Sequence, residues 1–314
     1  MRSTYQNEIA QAWKRVRAVP TRTLSSSYGR VEYAMAGSGQ PVLMSHGILG
    51  SHTEALGMVS TYFGEALAIA PSRFGYFRSE MPRDATPARQ ADVYAELLDE
   101  VGVERCVAIG FSAGGPSAIE FALRHPDRMD LLVLASAALP REPIPVVVTK
   151  VVPPVMRLTL SSDRPFWLFK TLMPRTCRHL LGVPESYEAT GAAAATLQEI
   201  TSSVFPIRPR REGAVFDAFI GNPHVNTSPL EDINVPTLII HAADDALAPY
   251  TYAQDAAARI PDARLVTVAT GGHEFLGSEP VVRDAIHGYL DELRAFRSTP
   301  TRIEALDEQQ LVRS

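Results

Sequence analysis

The 314-residue chain has only two cysteines, Cys106 and Cys177, and no excess of positive charge. Two cysteines cannot form a disulfide framework, and neither has the short spacing typical of metal ligands. The formal net charge of −5 provides no basic field for nucleic acid and no strongly acidic tail. The N-terminus lacks the apolar core of a signal peptide. These absences argue against disulfide-rich secreted proteins and nucleic-acid-binding proteins, and they predict a soluble, cytoplasmic protein.

Long apolar runs and cofactor-binding loops are also missing. The stretch VVVTKVVPPVMRLTL is interrupted by Lys150, Pro153 and Pro154 and is too short to span a bilayer. No Walker-type phosphate loop, dinucleotide fingerprint or cluster of metal ligands is present. We therefore expect no membrane span, no cofactor and no metal, and a small molecule as the partner. The oligomeric state stays open, a homodimer included.

The chain does contain apolar strand-like runs that alternate with helical patterns. ALAIAPS, ERCVAIGF and LLVLASA are such runs, and one intervening helix is predicted to begin at Thr86-Pro87. Continuous apolar strands separated by helices are typical of a mostly parallel sheet covered on both faces. The alternation stops near residue 140 and resumes with PTLIIHAAD. The sequence thus predicts an α/β core of residues 1–140 and 230–314, with a helical cap inserted at residues 141–229.

The segment VAIGFSAGGPSA places Ser112 between Gly110 and Gly114, where a strand pattern changes to a helix pattern. The spacing G-x-S-x-G forms a tight turn that exposes the serine hydroxyl as a nucleophile. The small residues after Ser112 permit the close approach of helix and strand that such a turn requires. A serine that merely caps the helix is the alternative, and the strand-turn-helix context favours the nucleophile.

A serine hydroxyl becomes a good nucleophile only when a base removes its proton. His273 is the best placed of the eight histidines, because it lies on the glycine-flanked loop ATGGHEFLG after the last predicted strand. His46 is predicted to be structural. The segment HAADDALAP supplies Asp244 and Asp245, and either aspartate could orient the imidazole ring of His273.

Two backbone N–H groups are expected to stabilise an oxyanion. One belongs to Ala113, directly after the nucleophile at a helix N-terminus. The other belongs to Ile48, in the glycine-rich turn HGILG after an earlier strand. A purely structural turn is the alternative for HGILG, and it does not conflict with the oxyanion role.

The segments HGILG, SRFGYFRS, GFSAGG, HAADDALAP and GGHEFLG, in this order and spacing, resemble the serine-type α/β-hydrolase fold family. The resemblance is greatest to its esterase and cofactor-free haloperoxidase-like group, and it covers about residues 24–140 and 230–297. It implies a triad of Ser112, Asp245 and His273, since the second aspartate of such a pair is generally the acid. It argues against dehalogenases and epoxide hydrolases of this fold, which use an aspartate nucleophile.

The chain departs from the family pattern in two segments. SRFGYFRS lacks the usual aspartate and R-G-x-G, so Arg73 and Arg78 are predicted to be surface residues. HAADD has Ala242 where glycine is common. Neither departure affects the predicted triad.

The expected function is the hydrolysis of small, largely apolar carboxylic esters, or of related lactone, thioester or amide bonds, through an acyl-enzyme. A receptor-like protein of the same fold with slow turnover and an acyltransferase are the alternatives. Aromatic residues of the cap are predicted to line the substrate pocket: Phe166, Trp167, Phe169 and Phe216. The run IRPRREG, with Arg208, Arg210 and Arg211, is predicted to be solvated, and an arginine that faces a substrate carboxylate is its alternative.

Overall fold

The computed structural model describes residues 2–139, 146–184 and 191–298. Its centre is an eight-stranded sheet in the order β1-β2-β4-β3-β5-β6-β7-β8. Strands β1 and β2 run antiparallel to their neighbours, and the remaining pairs are parallel, as predicted for a mostly parallel sheet. The strands are β1 (Arg22–Ser26), β2 (Gly29–Ala36), β3 (Gln40–Ser45), β4 (Ala66–Pro71), β5 (Cys106–Phe111), β6 (Met129–Ala135), β7 (Thr237–Ala242) and β8 (Arg264–Val268).

Helices cover both faces of this sheet. Helices α2 and α12 bury their apolar residues against one face, and α3, α4 and α11 cover the other. Helix α3 begins as predicted, with Pro87 in its first turn and the Thr86 hydroxyl accepting the Arg89 N–H at 3.2 Å. These helices are α2 (His52–Phe63), α3 (Pro87–Glu100), α4 (Gly115–Arg124), α11 (Tyr250–Arg259) and α12 (Glu279–Ser298).

The central strand β5 is buried along its whole length. Val107, Ile109 and Phe111 join the cluster under α2 and α12, whereas Cys106 and Ala108 join the opposite cluster. A strand that is buried on both faces requires the continuous apolar run that the sequence displays. Cys106 is therefore a core residue with a free thiol.

Only helices and turns occupy the described part of the chain between β6 and β7, which we call the helical insertion. A π-helical turn, Asp217–Gly221, joins its last two helices. Among the described residues, no helix has both the length and the hydropathy needed to cross a membrane. The predicted boundary at residue 140 lies outside the described residues. The insertion consists of α5 (Val146–Thr159), α6 (Asp163–Leu172), α7 (Pro174–Leu180), α8 (Gly191–Ser203), α9 (Arg211–Phe216) and α10 (Asn222–His224).

An N-terminal helix that the sequence analysis did not predict, α1 (Arg2–Ala18), packs against the insertion. The Trp167 indole donates a hydrogen bond of 2.7 Å to the Glu8 carboxylate, and its ring meets the Tyr5 ring edge-on. The Arg15 guanidinium donates to the backbone oxygen of Ser202 at 2.9 Å. Helix α1 is thus anchored to the insertion by both apolar and polar contacts.

Candidate active site

Ser112 lies where β5 ends and α4 is about to begin, near the centre of the parallel part of the sheet. Its φ angle is +49°, in the left-handed region that few residues other than glycine adopt. A side chain at Gly114 would collide with the backbone oxygen of Ser45, so the turn requires glycine there. The tight, strained turn predicted from G-x-S-x-G is present, and it holds Ser112 at the carboxyl edge of the sheet.

Three side chains from different strand ends form one chain of hydrogen bonds at this edge. The His273 Nε2 lies 2.8 Å from the Ser112 Oγ, and its Nδ1 lies 2.8 Å from an Asp245 carboxylate oxygen. Asp245 follows β7 and His273 follows β8. All three residues are largely buried, with His273 only 3% exposed. The structure therefore brings together the serine, the histidine and the second aspartate singled out in the sequence.

The carboxylate of Asp245 and the ring of His273 shift each other's pKa. Burial alone would lower the pKa of His273, but the hydrogen bond and the charge of Asp245 outweigh it and raise that pKa above its ordinary value. Burial would raise the pKa of Asp245, yet hydrogen bonds from His241 and His273 hold it well below its ordinary range. Asp245 thus stays ionised and can stabilise an imidazolium.

The neighbouring Asp244 holds the backbone of the histidine loop. Its two carboxylate oxygens accept the N–H groups of Gly271 at 3.2 Å and Gly272 at 2.9 Å. Asp245 therefore orients the ring of His273, and Asp244 fixes the loop that carries the ring. The buried His241 also contributes, because its Nε2 lies 3.3 Å from the Asp245 carboxylate.

The turn after β3 includes a backbone donor that has no partner among the described residues. The Gly47 oxygen accepts the His46 Nδ1–H at 2.9 Å, and the Leu49 N–H donates to the Tyr76 hydroxyl at 3.3 Å. Between them, the Ile48 N–H makes no hydrogen bond within the described chain. His46 is structural, as predicted, and the Ile48 N–H is free to bind an anion.

Arg73 supports this turn from inside the protein, which corrects the prediction that it is a surface residue. Its guanidinium donates two hydrogen bonds of 2.6 Å to the carboxylate of Asp217 in the insertion, and a third of 3.3 Å to the Gly47 oxygen. The Tyr76 hydroxyl donates to the same carboxylate at 2.5 Å. Burial alone would lower the pKa of Arg73, but Asp217 raises it, so the guanidinium stays charged. The prediction was wrong because the neutralising partner is 144 residues away in the sequence.

Arg210 is likewise buried, whereas the run IRPRREG was predicted to be solvated. It donates to the Gly50 oxygen at 3.1 Å and pairs with Glu54 at 3.2 Å. Arg208 is exposed, and Arg211 is half-buried beside Glu212. Both buried arginines thus hold the turn that carries Ile48.

A cavity of about 270 Å³ adjoins Ser112 and His273. None of the four aromatic residues predicted to line it does so. Phe166, Trp167 and Phe169 pack within the insertion or beside α1, and Phe216 is buried in a core cluster of the sheet. Most of the side chains that border the cavity are small or aliphatic, and Tyr252 and His273 are the ring-bearing exceptions. Its lining consists of Ile48, Ser112, Ser136, Ala138, Leu139, Ala218, Asn222, Leu247, Ala248, Tyr252 and His273.

A second, larger cavity of about 590 Å³ lies on the other side of Ile48, between α2, the turn and α8. Glu274 borders it, and burial raises the pKa of this carboxyl to about 7. Among the described residues, no group of three or more histidine, cysteine, aspartate or glutamate side chains could hold a metal ion.

Comparison with known proteins identifies the family. The model of the alpha/beta hydrolase family matches residues 42–283. The chain belongs to the alpha/beta hydrolase family. This family member resembles solved structures of the same fold, including a thermophilic esterase from Thermogutta terrifontis, with a TM-score of 0.69 and 23% identity over 87% of this chain and 99% of that one. A bromoperoxidase from Bacillus anthracis is similar with a TM-score of 0.65 and 17% identity over 87% of this chain and 100% of that one.

Two sequence relatives illustrate how far the likeness extends. The uncharacterized hydrolase YcgS of Bacillus subtilis is 36% identical over 37% of this chain, and the match spans only 40% of that protein. The candidate carbamate hydrolase RutD of a Caulobacter species is 27% identical over 82% of this chain and 92% of that protein.

Proposed function

We propose that this alpha/beta hydrolase is a serine hydrolase that cleaves small, largely apolar carboxylic esters through an acyl-enzyme. The observation that carries the proposal is the hydrogen-bond chain of Ser112, His273 and Asp245, with 2.8 Å at both links. In such an arrangement the aspartate orients the imidazole ring, and the ring is placed to accept the proton of the serine hydroxyl. This activates the serine as a nucleophile.

In the proposed reaction, His273 Nε2 takes the proton of Ser112 as the Oγ attacks the carbonyl carbon. The resulting oxyanion accepts hydrogen bonds from the N–H groups of Ile48 and Ala113. The protonated His273 then gives its proton to the leaving alcohol, and the acyl group stays on Ser112. Water repeats the sequence: His273 takes a proton from it, and the acid departs. A single oxyanion donor is typically worth about 3 kcal/mol of transition-state stabilisation.

We propose that the helical insertion acts as a cap over Ser112. Ala218 and Asn222 of the insertion border the cavity, and the Gly182 oxygen accepts the His273 N–H at 3.0 Å. A cavity of about 270 Å³ that is bordered mostly by apolar side chains is suited in size and polarity to short acyl groups. We expect acyl groups of a few carbons to be preferred.

A carbamate is the second candidate substrate class. The relative that aligns over 92% of its length is named as a candidate carbamate hydrolase, and a carbamate can form a carbamoyl-serine by the same steps. A receptor-like protein with slow turnover and an acyltransferase share the site and differ in how the acyl-enzyme is resolved.

The test combines labelling and turnover. A fluorophosphonate should add once, to the peptide that contains Ser112, and p-nitrophenyl acetate should be hydrolysed in steady state. Ser112→Ala should abolish both. Ser117→Ala is the matched control, because Ser117 lies in the same peptide but on α4, and it should keep both. Labelling without steady-state turnover would favour the receptor, and labelling that persists in Ser112→Ala would refute the assigned nucleophile.

A further inference from the structure

Ser136 is a buried hydroxyl that the proposed mechanism does not use. It directly follows β6, at the same sheet edge as Ser112, and its side chain is fully buried. Its Oγ has no hydrogen-bond partner among the described residues, although it borders the cavity beside Ser112. Its backbone is held, since its N–H donates to the Ile240 oxygen at 3.0 Å. An unpaired buried hydroxyl is costly for the folded protein.

The backbone of Ser136 is also strained. Its φ angle is +43°, in the left-handed region, where a glycine would be unstrained. Strained residues other than glycine cluster at functional sites, because the surrounding structure must hold them there. The strain and the unpaired hydroxyl are independent observations on one residue at the candidate active site.

Asn222 is a second residue with an unpaired polar atom that borders the same cavity, and it belongs to the helical insertion. It begins α10, after the π-helical turn of the insertion, and its Oδ1 is buried without a partner in the described chain. Turns of π-helix often occur at functional sites. The sheet edge and the insertion thus each contribute to the cavity lining one residue whose buried side-chain oxygen is unpaired among the described residues, and the rest of this lining is mostly apolar.

We infer that Ser136 and Asn222 form a recognition pair for a neutral hydrogen-bond donor, a hydroxyl or an N–H, on the acyl part of the substrate. The inference rests on the proposed function and narrows its substrate class. The Asn222 Oδ1 can only accept, so the substrate group must donate. The Ser136 hydroxyl can either accept from an N–H or donate to a substrate hydroxyl.

The lining of the cavity supports a neutral group on the acyl side. None of the described residues that border it is an aspartate, glutamate, lysine or arginine, so a charged group would be buried without a counter-ion. The acyl group is the part of the substrate that remains bonded to Ser112, and the cavity adjoins this residue. A plain alkyl acyl group would leave both oxygens unpaired.

The experiment compares matched p-nitrophenyl esters with the full-length protein. In one pair, 3-hydroxypropionate and butyrate, a hydroxyl replaces a methyl group. In the other, N-acetylglycinate and 4-oxopentanoate, an N–H replaces a methylene. Each kcat/KM is divided by the rate of hydroxide-catalysed hydrolysis of the same ester. The donor-bearing ester of at least one pair should be preferred by about ten- to hundredfold, since sites built around a hydrogen bond reject analogues that lack it.

Variants assign this preference to the two residues. Ser136→Ala and Asn222→Leu should each reduce the preference to near unity, because kcat/KM should fall more for the donor-bearing ester than for its alkyl partner. Ser136→Gly should also remove it and, by relieving the strained backbone, raise the midpoint of thermal unfolding. Ser117→Ala, a buried serine outside the cavity, should keep the preference.

The outcomes separate this inference from the proposed function. If the wild-type protein hydrolyses the esters but shows no preference in either pair, the recognition pair is refuted and the serine hydrolase stands. A preference that survives both Ser136→Ala and Asn222→Leu refutes it as well. If no ester is hydrolysed at all, the proposed function itself fails.

Discussion

Two adjacent aspartates after β7 have different hydrogen-bond partners, and substitutions should separate their roles. Asp245→Asn keeps the shape but lets the amide favour the wrong tautomer of His273, so kcat should fall by roughly 10⁴-fold. Asp244→Asn keeps one oxygen acceptor for the Gly271 and Gly272 N–H groups and should cost about tenfold or less, the scale of one weakened hydrogen bond. Steady-state kinetics with p-nitrophenyl acetate measure both. A larger loss in Asp244→Asn would reassign the acid.

Glu274 should influence the pH dependence of the reaction. Its carboxylate lies next to His273 and raises the pKa of that ring, while its own pKa is about 7. Because His273 must be neutral to accept a proton, kcat/KM should fall as the pH drops through its raised pKa. Glu274→Gln removes a charge that favours the imidazolium, so the acidic limb should move to lower pH.

The matched control for Glu274 is Glu279→Gln. Glu279 borders the same larger cavity but is not among the groups that shift the pKa of His273. Glu279→Gln should therefore leave the acidic limb of the pH profile of kcat/KM unchanged. An unmoved limb in Glu274→Gln, or a shift toward higher pH, would contradict the assigned electrostatics.

At this scale, local motifs made part of the site predictable. Ser112 and His273 stand in glycine-framed segments at strand ends, and such segments place a side chain at the sheet edge whatever the rest of the chain does. The burial of Arg73 depends on Asp217, in the insertion. The unpaired state of the Ser136 hydroxyl can be recognised only when its surroundings in the folded protein are known. Contacts of this kind leave no local pattern in the sequence.

Among the elements, the turn after β3 and the insertion are linked through Arg73 and Asp217. Loss of one partner leaves a buried charge, so Arg73→Met alone should reduce the free energy of unfolding by about 3–5 kcal/mol. The double variant Arg73→Met/Asp217→Leu removes both charges and should recover most of that stability. The kcat/KM of the double variant should nevertheless stay roughly ten- to hundredfold below that of the wild-type protein, because the Gly47 carbonyl loses a donor and the Ile48 N–H is displaced.

Denaturant unfolding and steady-state kinetics on the same variants test this link. The matched control is Arg157→Met/Glu212→Leu, an exposed ion pair between α5 and α9 that does not touch the turn. It should change neither quantity appreciably, as is usual for surface pairs. If the Arg73/Asp217 double variant recovers full activity together with stability, the ion pair serves folding alone.

The elements themselves were predictable to different degrees. Strands β4, β5, β6 and β7 appear as apolar runs because nearly all of their residues are buried, and α3 has its capping threonine and proline in the sequence. Helix α1 was not predicted, since its apolar residues contact Trp167 and its neighbours rather than the sheet. The amphipathic pattern of α1 can be interpreted only when the contacts of this helix with the insertion are known.

For the whole molecule, residues of both the insertion and the sheet border the cavity at Ser112. The insertion contacts the histidine loop through Gly182 and borders the cavity through Ala218 and Asn222. It is linked to the turn after β3 through Asp217, which binds the Arg73 side chain that donates to the Gly47 oxygen. Each of the three functional parts of the site therefore has a neighbour in the insertion. Substrate size should accordingly be limited by the volume of this cavity.

A series of p-nitrophenyl esters from acetate to palmitate tests that limit. Each methylene buried in an apolar cavity contributes up to about 0.8 kcal/mol, so kcat/KM should rise over the first few carbons. It should then fall, because about 270 Å³ cannot hold a long chain. Ala218→Leu narrows the cavity and should move the maximum to shorter acyl groups, whereas Leu168→Ala, at an exposed site of the insertion, should leave it unchanged. A flat profile, or strong activation on ester emulsions, would instead indicate an open groove at Ser112.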